Sequence, residues 1–169
     1  MKPIIITMIG QDRPGLVDQL AKQVYAHDGN WLASNFAQMA GQFAGFVEVH
    51  VPEAKHDDLI ASLDALEGID VQSVSALEQS QQDAFNSLVI NVMGNDKPGI
   101  VQEITAVLNQ FNLSILSMDS CCESAPNWGS LMFKANIVIG VPESFDTDSI
   151  TEALENVAND LVVDISTYR

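Results

Sequence analysis

Positive charge is scarce in this chain. Seven lysines and arginines stand against 23 acidic residues in 169, a formal net charge of -16. Such a chain repels a phosphate backbone and an anionic membrane surface alike, which excludes direct nucleic-acid binding from the expected functions. Long apolar runs are also lacking. The opening MKPIIITMIG is too short and badly flanked for a signal peptide, and no run approaches the roughly 18 apolar residues of a membrane span, so a cytoplasmic protein is expected. Cysteine is limited to the adjacent Cys121 and Cys122, whose pairing would strain the peptide between them. They are expected as reduced thiols in a strand, buried as free cysteines commonly are. His27, His50 and His56 are scattered, with no second ligand at metal spacing, and neither a metal nor a cofactor is expected. No nucleophile arrangement and no phosphate-binding glycine loop is legible, so an enzyme is not expected.

What is present is enough apolar material for a packed core: 47% hydrophobic residues with 18% charged. One stretch also occurs twice. GQDRPGLV runs from Gly10 to Val17 and GNDKPGIV from Gly94 to Val101, an offset of 84. The same offset carries Val17, Leu20, Ala21 and Val24 onto Val101, Ile104, Thr105 and Leu108, both sets at the spacing of an amphipathic helix. IIITMI and LVINVM, short and β-branched, precede the two motifs as strands. Gly29 suits a helix stop, after which NWLASNFAQM and FAGFVEVHV form a hairpin turning at Gly41. In the second copy LSILSMDSCC and LMFKANIVI correspond, joined by the longer ESAPNWG. The triplet VPE recurs at an offset of 90, which confines six extra residues to that hairpin loop. Leu59, Leu63 and Leu66, and in the second copy Ile150, Ala153, Leu154 and Val157, have helical spacing, and IDVQSV and LVVDIS close each half as strands. Each half therefore reads βαββαβ, an α+β ferredoxin-like unit with two helices on one face of a four-stranded antiparallel sheet. The polar LEQSQQDA joins the halves.

In the repeated turn, Pro14 and Pro98 suit the first helical position, where a missing amide donor costs nothing. Gly15 and Gly99 would let the backbone approach a ligand closely. Free amides at a helix N-terminus attract a carboxylate, while Asp12 and Asp96 just upstream could hold an ammonium group; together they suit a zwitterionic amino acid. The alternative from the same residues is that the aspartates only cap the helices and that Pro-Gly only makes a tight turn. His56 to Asp58 read as the acidic first turn of a helix, and Trp128 in the long hairpin loop either anchors a partner or folds back over its own hairpin.

A βαββαβ unit with GxDRPG after its first strand resembles the ACT domain, a regulatory module that binds amino acids. The likeness covers nearly the whole chain twice: ACT-like domain 1 over 1–77, a linker over 78–84, and ACT-like domain 2 over 85–169. Within that superfamily, GQDRPGLV, GQFAGFVEVHVP and ESAPNWGSLMFKANI are similar to the glycine cleavage system transcriptional repressor family. The resemblance implies a ligand site at the loop before the first helix and the start of the second strand, built where two ACT units meet side by side. Carried over, it comprises Asp12, Pro14, Gly15, Leu16 and Asn30 in the first unit and Asp96, Pro98, Gly99, Ile100 and Ser114 in the second. Ser114 is shorter than Asn30. Trp31, beside Asn30, packs either between units or in the core.

The resemblance further implies allosteric regulation: a repressor sensing glycine or a similar small amino acid. It would restrain a DNA-binding transcriptional activator by protein contact, and a homodimer through ACT pairing would be possible. The acidity suits such an indirect role. Two rivals share the same turn chemistry. One is an ACT-type regulatory subunit giving end-product control to a biosynthetic enzyme; the other is a small acyl-phosphate hydrolase, for which Arg13 and the equivalent Lys97 would have to grip phosphate.

Overall fold

The computed structural model describes residues 1–75, 86–124, 129–157 and 161–167, so the linker expected over 78–84 and the residue Trp128 lie outside the described part. The chain divides into two compact units, Met1–Gln79 and Ser80–Arg169. The first contains β1 (Lys2–Gln11), α1 (Leu16–Ala26), β2 (Asn30–Met39), β3 (Gln42–Val51), α2 (His56–Asp64) and β4 (Ile69–Ser75). The second repeats that order with β5 (Asn86–Asn95), α3 (Ile100–Gln110), β6 (Ser114–Ser124), β7 (Leu131–Val141), α4 (Thr147–Val157) and β8 (Val162–Thr167). Both sheets are antiparallel, ordered β2-β3-β1-β4 and β6-β7-β5-β8. The expected α+β, ferredoxin-like βαββαβ unit is therefore present twice.

Alternation along the strands shows where each core sits. Ile4, Ile6 and Met8 of β1 and Val47, Val49 and Val51 of β3 are buried with Leu16, Leu20, Val24, Leu59 and Leu63 of the two helices. The second unit buries Leu88, Ile90 and Val92 with Ile104, Leu108, Ile150 and Leu154 in the same way. Helices thus cover one face of each sheet, and the intervening strand residues line the other face, most of them half-buried or exposed but Val138 buried. Leu20, Val24, Ile104 and Leu108 are buried as expected, but the first member of each stripe differs. Leu16 and Ile100, at the first helical positions, are buried, whereas Val17 and Val101 are about two-fifths exposed. A helix entering straight from a tight turn presents its first residue to the sheet.

The duplication extends to irregularities. Each α1-type helix ends with a non-glycine residue of positive φ, Asp28 (57°) and Asn112 (54°). The next amide, of Gly29 or Leu113, then donates to the carbonyl of Val24 or Leu108 at 2.9 and 3.1 Å, a Schellman closure. Gly29 therefore follows the left-handed stop and is not itself the stop. Register shifts between Trp31 and Ala33 and between Ile115 and Ser117 bulge both second strands at the same place. Ala40 and Gly41, with φ of 49° and 80°, make the first hairpin turn as expected.

Candidate functional site

Each motif turn is held in place from both sides. The Asp12 amide donates to the Gly41 carbonyl at 3.2 Å and the Asp96 amide to Leu131 at 2.9 Å, which extends the central strand pairing into the turn. The chain then reverses through Gly15 (φ 82°) or Gly99 (φ 89°) before the helix begins. These glycines occupy the N-cap position, and no side chain caps either helix. The cap alternative for Asp12 and Asp96 is thereby corrected. No side chain caps the first amides of α1 and α3, which lie at the positive end of the helix dipole, and that of Ile100 donates to the Lys97 carbonyl at 3.3 Å.

Pro14 and Pro98 are not first helical residues, as had been expected, but precede a left-handed glycine, their rings fixing φ within the turn. The glycines have a different reason as well. A Cβ on Gly15 or Gly99 would meet no atom of this chain within 4 Å, so within the chain itself it is the left-handed backbone that calls for glycine.

The aspartates are positioned by the end of the second strand. In the first unit Gln38 Nε2 donates to Asp12 Oδ2 at 2.7 Å. At the same offset in the second unit stands Cys122, which lines the same cavity as Asp96. Desolvation, then the neighbouring Asp96 carboxylate, push the Cys122 thiol above its ordinary range. Both cysteines are free and lie in β6, but they are exposed, against the expectation of burial, because β6 is an edge strand. Neither Gln38 nor Cys122 is legible in the sequence as a site residue; both lie 26 positions after their aspartates, and strand register alone brings them there.

The motif cations are engaged locally. Arg13 donates to Gln19 Oε1 at 3.2 Å and to the Glu67 carbonyl at 3.0 Å. Lys97 pairs with Glu103, the counterpart of Gln19, at 2.7 Å. The charge that the hydrolase rival would need for phosphate instead ties the turn to its own unit.

Beside the second turn lies an open cavity of about 430 Å³, lined among others by Asp96, Lys97, Gly99, Val101, Cys122 and Phe133. It combines a carboxylate with an apolar wall and adjoins the helix N-terminus. Among the described residues no cluster of three or more metal-ligating side chains is present.

Asn30 and Ser114 are not brought to these turns. Asn30 pairs with His50, which pairs with Pro3 at the start of β1, and Ser114 aligns likewise with Ser87 of β5. Nine residues of strand then separate each from its motif aspartate, roughly 30 Å at about 3.3 Å per residue. Trp31 is half-buried against its own unit's core, its ring 6.1 Å from that of Phe36.

The ACT domain family model matches residues 2–71 and 86–121. The chain belongs to the ACT domain family. Curated relatives of this ACT protein include the glycine cleavage system transcriptional repressors of Escherichia coli K12 and Shigella flexneri. Each is 22% identical over 162 residues, which span 94% of this chain and 85% of the relative. Among solved structures, a protein of unknown function from Galdieria sulphuraria superposes with a TM-score of 0.85 at 23% identity, covering 99% of both chains. A candidate glycine cleavage system transcriptional repressor superposes with a TM-score of 0.72 at 16% identity, covering 99% of this chain and 98% of that one. Both share the fold over their whole length. Among the described residues no helix is long and apolar enough to cross a membrane.

Proposed function

We propose that this ACT protein is an amino-acid-responsive regulator. In this reading it is a cytoplasmic, non-catalytic repressor of glycine cleavage that acts by contact with a DNA-bound activator and is relieved by glycine. The observation that carries the amino-acid part is the cavity at the second turn, where a carboxylate suited to an ammonium group adjoins uncapped amides suited to a carboxylate. The repressor part rests on the likeness to the two bacterial repressors. Action through a protein partner rests on the charge of -16, which disfavours DNA and favours a basic protein surface.

For Asn30 or Ser114 to reach the ligand of a motif turn, another ACT unit must lie alongside. We assign that role to a second copy of the chain, joined through the edge strands β2 and β6, whose outer backbone groups have no neighbour in their own sheets.

Calorimetric titration with glycine, alanine and serine tests the reading. Saturable binding is expected, with Asp96→Ala weakening it by about 1.5–3 kcal/mol, the range for a hydrogen bond to a charged group. Absence of heat with every amino acid would sink it. A shift of bare operator DNA at physiological salt would sink the indirect mode of action.

A further inference from the structure

We propose that the two turns are not equivalent: the cavity of the second unit is the working amino-acid site, and the exchange of Gln38 for Cys122 decides this. The inference rests on the amino-acid reading above and says where such a ligand binds. The duplicated units serve as each other's control, because strand order, turn conformation and the bulge in the second strand all match.

Against that common frame the groups facing the two aspartates differ in length and in hydrogen bonding. The Gln38 amide reaches across the first turn and donates to Asp12 Oδ2 at 2.7 Å, occupying the side of the carboxylate that an incoming ammonium would seek. A ligand there must first displace that amide, whose bond already satisfies one carboxylate oxygen. Cys122 is several non-hydrogen atoms shorter, and its thiol is a weak donor. A charged ammonium therefore outcompetes it for Asp96, by a stronger, charge-assisted bond.

The shorter side chain also leaves space. The cavity of about 430 Å³ is lined by Asp96 and Cys122 and by the apolar Val101 and Phe133. An α-amino acid with its ammonium on Asp96 has its carboxylate toward the first amides of α3 and its Cα substituent toward the apolar wall. Glycine and alanine both fit within that volume. Lys97 does not compete for Asp96, because its ammonium is 2.7 Å from Glu103.

Cys122 makes the assignment measurable in the intact chain. With Cys121→Ser as background, alkylation by iodoacetamide reports on Cys122 alone, slowly, since its thiol resists ionisation. Titration with glycine and with alanine, in parallel with alkylation, is expected to give one site per chain. At about ten times the dissociation constant, either amino acid should slow alkylation about tenfold. Cys122→Gln should weaken binding at least about tenfold, roughly 1.4 kcal/mol in affinity, with the fold unchanged by circular dichroism, whereas Cys122→Ser keeps it. Gln38→Cys should add a second site. Two sites in the parent chain, alkylation unmoved by saturating ligand, or normal binding by Cys122→Gln would overturn the assignment while the amino-acid reading stands. No heat and no protection with either amino acid would overturn both.

Discussion

Replacing Gly99 by alanine isolates the backbone requirement of the motif turn. With φ at 89° and ψ at -1°, the residue is firmly left-handed, and the added Cβ would meet no atom within 4 Å. No steric term enters, so the cost is that of holding an L-residue left-handed, about 1–2 kcal/mol. Alanine also lowers the entropy of the unfolded chain, which offsets about 0.4–1 kcal/mol. A net loss of about 1 kcal/mol is expected, and Gly99→Asn should cost less, because asparagine tolerates this region. Urea unfolding followed by circular dichroism should show the midpoint falling by about 0.3–1 M, given slopes of about 1–3 kcal/mol per M. Gly15, at φ 82° with the same empty surroundings, supplies an independent repeat. Asparagine no better than alanine, or alanine as stable as glycine at both positions, would refute the conformational argument.

Two further expectations follow from the same structure. Asp28→Gly and Asn112→Gly should each raise stability by somewhat under about 1 kcal/mol, because φ near 55° strains a residue with a Cβ at the Schellman position; destabilisation of both in urea melts would contradict this. On β6 and β7, the hydrogen bond from Lys134, then its charge, lowers the Glu123 carboxyl below its ordinary 4.5, and the reciprocal bond raises Lys134 above 10.5. The carboxylate contribution is thus present above pH 4.5 and lost as pH falls through the lower folded value; the lysine contribution is present below 10.5 and lost as pH rises through the higher one. Lys134→Met should therefore lose less stability than the parent between about pH 7 and pH 3, by a small amount because the pair is exposed, and parallel profiles would show the pair to be idle.

Local periodicity made most of the fold legible. The offset of 84 predicts two copies of strand, turn and helix, and β2 begins and ends at the residues its sequence suggests. The helices lay within a residue of their stripes, with Val17 and Val101 turned outward because burial starts at Leu16 and Ile100. The motif turn was recognisable, but its mechanics were not. Proline and glycine announce a turn before a helix without saying which of them begins it, and only φ separates a left-handed N-cap from a first helical residue. Partners joined through register were out of reach entirely. Nothing near Asp12 in sequence points to Gln38, since the pairing depends on where a hairpin 26 residues later returns. The exposure of Cys121 and Cys122 likewise depends on sheet order, which leaves β6 at an edge.

The same register limits what one unit can do with a ligand. In a strand order of β2-β3-β1-β4, β1 and β2 run in the same direction, so the residue opening β2 lies level with the start of β1, while the motif turn follows its end. No side chain spans the roughly 30 Å between them. Residues of both kinds serve one ligand only when a second unit runs the other way, which is the geometry of antiparallel pairing between two edge strands. Such pairing makes ligand binding and association one equilibrium, since each ligand then touches both partners. An amino acid bound that way raises the apparent affinity between copies by its own differential affinity, and dilution of the protein weakens ligand binding in return. Sedimentation with and without glycine measures that linkage directly. A ligand that binds the chain without shifting its association places the entire site within one chain and removes the second copy from it.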